Sequence, residues 1–279
     1  MPEAQFVTRK QSRTVLAYLA KAPSENLFLI DLVQEIARSW RDTGVQVVAA
    51  WEGKEVVGVA SLRPSVATDA AMSEAALSAC LPLLMCLEMG LIKSAPDHAE
   101  VIWNGLQVRG RRASIDRRET AYVHFLDGPS AAWASAPPGV VLRRANMDDL
   151  ESLVYAARAS LLEESRPDPF DGDIPGFRRW VAGRVERARL VEVKGEAVFV
   201  AYADVRQPDG WLVQGVYTWP GVRRQGYARL GMSALLREAR AQGATHLQLA
   251  VVSGNAPAAA LYSGLGFSPR FDLRTILFS

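Results

Sequence analysis

Cysteine and histidine are scarce in this chain of 279 residues, which has two of the first and three of the second. Cys80 and Cys86 lie in one apolar stretch and cannot build a disulfide framework. Both are expected to be buried thiols, which suits a reducing cytoplasm. His98, His124 and His246 are far apart and lack metal-ligand spacing, so no metal site is expected. Neither sign of charge dominates: 32 Lys and Arg nearly cancel 30 Asp and Glu. A net charge of +2 leaves no electrostatic footprint for nucleic acid or a membrane surface. Long apolar runs are missing too. The most hydrophobic stretch, 75–92, is interrupted by Pro82 and Glu88, whereas a bilayer span needs roughly 20 apolar residues. A buried core helix is expected there instead. Residues 1–10 hold no apolar segment of the secretory kind.

What is present belongs to a globular protein. With 49% hydrophobic and 22% charged residues, the chain has enough apolar surface to offset chain entropy, which excludes intrinsic disorder. Its length favours two domains. The sharpest change of composition is at 130–139, rich in Ala, Ser and Pro and ending Pro137-Pro138-Gly139. Such residues resist helix and strand alike. The expected organisation is therefore a domain at 1–129, a linker at 130–139 and a second domain at 140–279.

The C-terminal half reads as a strand at 140–144, then a helix from Met147 with Asn146 as its cap and Asp148, Asp149 and Glu151 in its first turn. A loop follows at 166–175 and a helix at 177–187. Strands are expected at 189–193, 197–205 and 211–218, with Gly195 and Pro208-Asp209-Gly210 at the turns. A helix after Pro220 ends near Gly243, a strand spans 245–252, Pro257 opens another helix, and 273–278 is a last strand. That order argues an α/β or α+β fold with a mixed sheet. The N-terminal half repeats it more faintly: a helix at 26–40 capped by Ser24, strands at 45–51 and 55–62, the apolar helix, and a strand at 120–126.

The chemically informative segment runs Gly215-Val-Tyr-Thr-Trp-Pro-Gly-Val-Arg-Arg-Gln-Gly-Tyr-Ala228. A β-branched and aromatic strand enters a tight Arg/Gly turn that opens an amphipathic helix. Backbone N–H groups at such a start lack intrahelical partners and, with the helix dipole, suit an anion such as phosphate. Gly226 and Ala228 keep bulk away, and Arg223 and Arg224 add positive charge.

This segment, Arg223-Arg-Gln-Gly226-Tyr-Ala228, resembles the Arg/Gln-x-x-Gly-x-Gly/Ala acetyl-CoA motif of the GCN5-related N-acetyltransferase (GNAT) family. Downstream, 255–267 contains Asn255, Ala258, Leu261-Tyr262 and Leu265-Gly266-Phe267, and is similar to that family's Asn-x-x-Ala-x-x-Leu-Tyr-x-x-Leu-Gly-Phe. The resemblance covers about 140–279. The preceding domain and Glu163-Glu164 look like a tandem subgroup, in which a degenerate acetyltransferase-like domain precedes the active one. The resemblance implies a GNAT-like acyl-CoA N-acyltransferase fold, with acetyl-CoA as cosubstrate and an acetyl group moved to a primary amine of a small molecule or a protein lysine by direct attack. It further implies that backbone groups of Val216 and Thr218 hold the pantetheine arm. The turn of Arg223, Arg224, Gln225, Gly226, Tyr227 and Ala228 would cradle the pyrophosphate. Asn255 would lie near the pantetheine, and Tyr262 would protonate the departing thiolate.

One departure from the family pattern matters. The strand position that often carries a catalytic glutamate holds Gln214 and Gly215, neither of which takes a proton. An amine of pKa about 10.4 must still lose one. Glu164 and Glu163 are the first candidates, because the loop after that helix walls the acceptor site in the family; Asp204 or bulk water are the others. The acidic loop of Asp168, Asp171 and Asp173 reads as a solvated turn, or as an attractor for a cationic amine. Trp219 is read equally as pocket lining or packing. The N-terminal half has no second copy of the phosphate turn, so it is read as non-catalytic. The rival readings are a glycine N-acyltransferase-like enzyme, with Arg178 or Arg179 for an acceptor carboxylate, and an acyl-CoA sensor without turnover. An aminoacyl-tRNA-dependent transferase is disfavoured by the absence of a basic surface.

Overall fold

The computed structural model describes residues 1–41, 43–128, 133–170 and 172–279. Residues 130–132 of the expected linker and Asp171 of the acidic loop lie outside them. The described chain forms two compact units that interleave in sequence: 1–121 with 251–254 and 269–279, and 122–250 with 255–268.

The first unit contains β1 (Glu3–Phe6), α1 (Ser12–Leu19), α2 (Pro23–Arg38), β2 (Gln46–Glu52), β3 (Glu55–Arg63), β4 (Ala67–Thr68), α3 (Glu74–Leu84), β5 (Gly90–Ser94), α4 (Pro96–Val108), much of β6 (Ala113–Phe125), and most of the final strand, β12 (Ser268–Phe278). β1 to β4 make an antiparallel sheet in chain order. The C-terminal strand joins this unit for a physical reason. It pairs antiparallel with β5, from Arg274↔Ser94 to Phe278↔Gly90. That pairing sends Ile276 and Phe278 into a core with Leu84, Ile92, Ile102 and Leu106.

Several N-terminal expectations are corrected here. The apolar stretch 75–92 is not one helix: α3 ends at Leu84 and Ile92 lies in β5. Cys80 is buried in the core, but Cys86 falls just past the helix end and is exposed. Ser24 is not a cap, because α2 starts one residue earlier, at Pro23. Asn26 is instead buried, binding the Leu19 carbonyl and the Ala70 N–H.

The second unit holds the sheet order β11-β10-β9-β8-β7. In chain order its elements are β7 (Val140–Arg144), α5 (Leu150–Glu163), α6 (Ile174–Ala182), β8 (Ala188–Val193), β9 (Glu196–Gln207), β10 (Gly210–Thr218), α7 (Tyr227–Ala241), β11 (His246–Val252) and α8 (Ala256–Ser263). Asn146 and Asp149 form a reciprocal capping box ahead of α5. β7 to β10 are antiparallel neighbours and β10–β11 is parallel, so the sheet is mixed. β9 is almost continuously buried, as a strand covered on both faces must be. Leu150 and Leu153 of α5 and Phe177 and Val181 of α6 pack with Val200, Tyr202 and Tyr217 on one face.

Candidate active site

The site grows from a place where two parallel strands part. β10 and β11 are in register at Trp211↔Leu247 and Leu212↔Gln248. Beyond Leu212, β10 has no strand partner on that side among the described residues. The edge carrying Val216 and Thr218 is thereby without a neighbouring strand among the described residues, although the Thr218 carbonyl accepts from Arg223 Nε, and it could pair with an extended ligand such as a pantetheine arm. On the other side, β10 bulges against β9 between Gln214↔Tyr202 and Tyr217↔Val200. Gly215 sits in that bulge at φ +57°, and a Cβ there would come within 2.9 Å of the Tyr202 ring. Glycine satisfies both constraints at once.

A single 3₁₀ turn, Pro220–Val222, then leads to the start of α7. Arg224 at φ 63° and Gly226 at φ 88° reverse the backbone twice within three residues. The N–H groups of Arg224, Gln225, Gly226, Tyr227 and Ala228 have no acceptor among the described residues; the first bond of α7 is from Leu230 N–H to the Gly226 carbonyl. Successive unpaired N–H groups in such a turn, at the positive end of a 15-residue helix, form an anion-binding nest. A Cβ on Gly226 would meet nothing within 4 Å, so the concavity is open. These residues fit a pyrophosphate.

Arg223 and Glu163, expected in different roles, meet. Arg223 Nη2 donates to both carboxylate oxygens of Glu163, at 2.8 and 2.7 Å, and its Nε donates to the Thr218 carbonyl at 2.9 Å. The Tyr217 hydroxyl donates to Glu163 Oε1 at 3.2 Å. Burial and the neighbouring carboxylate push the Tyr217 phenol up to about 12. Trp219 packs edge-on to Tyr217 and stacks on Tyr155 of α5. Sequence reasoning missed Tyr217 and Tyr155. The Tyr217–Glu163 and Tyr155–Trp219 contacts each join segments dozens of residues apart, so no local spacing reports them. Glu164 caps the end of α5, where Ser160 Oγ approaches it at 3.5 Å and Arg166 at 3.7 Å.

Asn255 caps α8, its side-chain oxygen accepting from Ala258 N–H, which leaves the amide NH₂ as a donor not used by the cap. Tyr262 on the same helix is 6% exposed and packs edge-on to Phe267. Burial alone pushes its phenol above the ordinary value, with no offsetting charge or hydrogen bond. Asp204 is paired to Arg184 at 2.5 Å. Asp173 caps α6 and Asp168 closes a local turn through Phe170 N–H. Arg178 pairs with Glu151, and Arg179 lies 3.7 Å from Asp173. No group of three His, Cys, Asp or Glu among the described residues could hold a metal ion. No helix among them is long and apolar enough to cross a membrane.

No curated protein matches the chain. Solved structures of the same fold include a Drosophila protein (TM-score 0.75, 16% identity, 99% of each chain). Others are a GCN5-related N-acetyltransferase from Sphaerobacter thermophilus (0.62, 16%, 99% of this chain and 95% of that one) and a tandem GNAT protein from the clavulanic acid biosynthesis pathway (0.54, 16%, 100% and 98%). The family model described as Acetyltransferase (GNAT) family matches residues 151–267, a span containing the split strands, the nest and Tyr262. The protein therefore carries a GNAT-family acetyltransferase domain at 151–267, in a chain that has the fold of tandem GNAT proteins along its whole length.

Proposed function

We propose that the chain transfers an acetyl group from acetyl-CoA to a primary amine, of a small molecule or a protein lysine, and that it does so in the cytoplasm. The observation that carries this reading is the open nest at Arg224 to Ala228, directly after a strand edge without a partner. The division into a non-catalytic 1–129, a linker at 130–139 and a catalytic 140–279 belongs to the same proposal. It is supported by the lack of a second phosphate turn. Both cysteines are free thiols, which suits a reducing compartment.

Bound acetyl-CoA would supply an activated carbonyl and a thiolate leaving group. In this chain the nest N–H groups and Arg224 would hold the pyrophosphate, and backbone groups of Val216 and Thr218 would hold the pantetheine. The bulge at Gly215 turns backbone groups out of the β9 ladder, where an N–H can face the developing oxyanion. Tyr262 would lie near the sulfur. Burial keeps its phenol protonated at neutral pH but also makes it a reluctant acid, since a thiol ionises near pKa 8.5. Its main contribution is thus a hydrogen bond donated to the departing thiolate, rather than outright proton loss.

The test is an acceptor screen with free-thiol release as readout, using amines, amino acids and lysine peptides. Acetyl-CoA consumption that depends on one class of amine supports the reading. CoA binding without turnover on any of them would convert it to a sensor.

A further inference from the structure

Two assignments collide at the end of α5. Arg223 opens the phosphate turn and Glu163 is a candidate base, yet each occupies the other: both Glu163 oxygens accept from Arg223 Nη2, and Tyr217 adds a third donor. A carboxylate so engaged has no oxygen free for an amine proton. The pair is nevertheless easily opened. The two side chains are 42% and 45% exposed, and ion pairs in contact with water contribute about 0.2–1 kcal/mol. A pyrophosphate in the adjoining nest offers the guanidinium a more highly charged, bidentate partner. Arg223 is itself the first residue of the turn, and its move to the phosphate would also release its Nε bond to the Thr218 carbonyl.

We infer that Arg223 is exchanged between two anions, pairing with Glu163 in the empty site and with the cofactor pyrophosphate in the loaded one, so that donor binding uncovers Glu163 as the general base. This rests on the reading proposed above and deepens it, since it names the residue that replaces the missing glutamate. The proton balance closes. As the amine nitrogen bonds to the carbonyl carbon, its excess proton passes to Glu163 and then to solvent. The C–S bond breaks with its electron pair on sulfur, and the thiolate, held by Tyr262, takes a proton from solvent. Tyr217 stays on Glu163 throughout and keeps the freed carboxylate in place. Without donor, the base is masked, so proton transfer waits for acetyl-CoA.

The sign of one measurement separates this from a static role. If Glu163 competes with the phosphate for Arg223, Glu163→Gln binds CoA more tightly, by up to about fivefold from the value of an exposed pair. If Glu163 merely braces Arg223 for the phosphate, the same change weakens binding. Calorimetry with CoA reads the sign on the full chain. Turnover on the best amine of the screen should fall by about a hundredfold or more, with loss of the acid limb of its pH profile. Weaker CoA binding by Glu163→Gln overturns the exchange. Tighter binding with unchanged turnover and pH profile overturns the role as base. Arg223→Gln should weaken CoA binding, and in that background Glu163→Gln should no longer tighten it; tightening that persists without Arg223 would also count against the exchange. Wild-type protein that binds no CoA would refute the underlying functional reading, an outcome visible before any variant is made.

Discussion

Gly226→Val tests the phosphate turn most directly, because the structure separates its effect on folding from its effect on binding. Residue 226 has φ 88° and open space around the position of a Cβ. In the empty protein the cost is therefore conformational: about 1–2 kcal/mol for an L-residue in the left-handed region, somewhat more for a β-branched one. For a chain of this size that lowers the melting temperature by a few degrees, about 2–4 °C per kcal/mol. Binding should suffer more. The valine branches project where a pyrophosphate must approach the N–H groups of Arg224 to Ala228. Each hydrogen bond to a charged group contributes about 1.5–3 kcal/mol, so losing two weakens CoA by about 10²–10⁴-fold. Calorimetry with CoA and a thermal melt on the same preparation give both numbers. Gly226→Ala carries similar backbone strain with less bulk and should fall between wild type and valine. A valine variant that melts a few degrees low and still binds CoA within about threefold of wild type would refute the assignment of the turn.

Three further outcomes follow from the geometry. CoA should bind with a stoichiometry of one per chain, and two equivalent sites in the titration would show that the N-terminal half retains a phosphate turn of another design. Tyr262→Phe should lower turnover by about a hundredfold or more while leaving CoA affinity within about threefold; an unchanged rate, measured where chemistry limits turnover, removes Tyr262 from the mechanism. In the first unit, Glu119 is buried between Lys93 at 2.6 Å and Arg117 at 2.8 Å. Burial pushes its carboxyl up, but the two cations outweigh burial and hold it below the usual range. A depressed folded-state pKa stabilises the protein above the unfolded value of about 4.3, and that stability is lost as pH falls through the folded value. Glu119→Gln should thus cost about 3 kcal/mol at pH 7 by urea unfolding, with the difference from wild type shrinking in acid. A pH-independent difference would reject the ion triad as its source.

The C-terminal half was legible because its signals are local. Asn146 with Asp149, the Pro208-Asp209-Gly210 turn and Gly243 each mark a boundary through their own backbone chemistry, and the observed elements begin and end within a few residues of them. The N-terminal half carries such marks unevenly: Ser73 caps α3 and Gly53 turns the β2–β3 hairpin, but α1 and α4 have no side-chain cap. Its apolar stretch at 75–92 has no period that separates helix from buried strand, and the break between α3 and β5 follows from pairing with a C-terminal strand nearly 190 residues away. α1 and α4 went unread for want of strong caps. In the site, the phosphate turn was readable from a six-residue motif, whereas the Glu163–Arg223 pair joins residues 60 apart and has no signature in either segment.

The empty glutamate position has a structural cause that also limits how it could be refilled. At 215 the backbone is left-handed, and the space a Cβ would need is held by the Tyr202 ring, which packs in the core beneath α5 and α6. A carboxylate there would have to displace a buried aromatic and adopt a strained φ, each costing on the order of 1–3 kcal/mol. Gln214, exposed and one residue earlier, carries no proton acceptor of useful basicity. Asp204 is tied to Arg184 behind the same ring, which the Arg184 guanidinium covers at 4.4 Å. With position 215 unable to carry a base and Asp204 paired to Arg184, the carboxylates at the end of α5 remain as candidates. Of these, Glu163 is the one joined by hydrogen bonds to both the catalytic strand, through Tyr217, and the phosphate turn, through Arg223. A base so placed works only once the turn's arginine has another anion to hold, which links proton transfer to occupancy of the cofactor site.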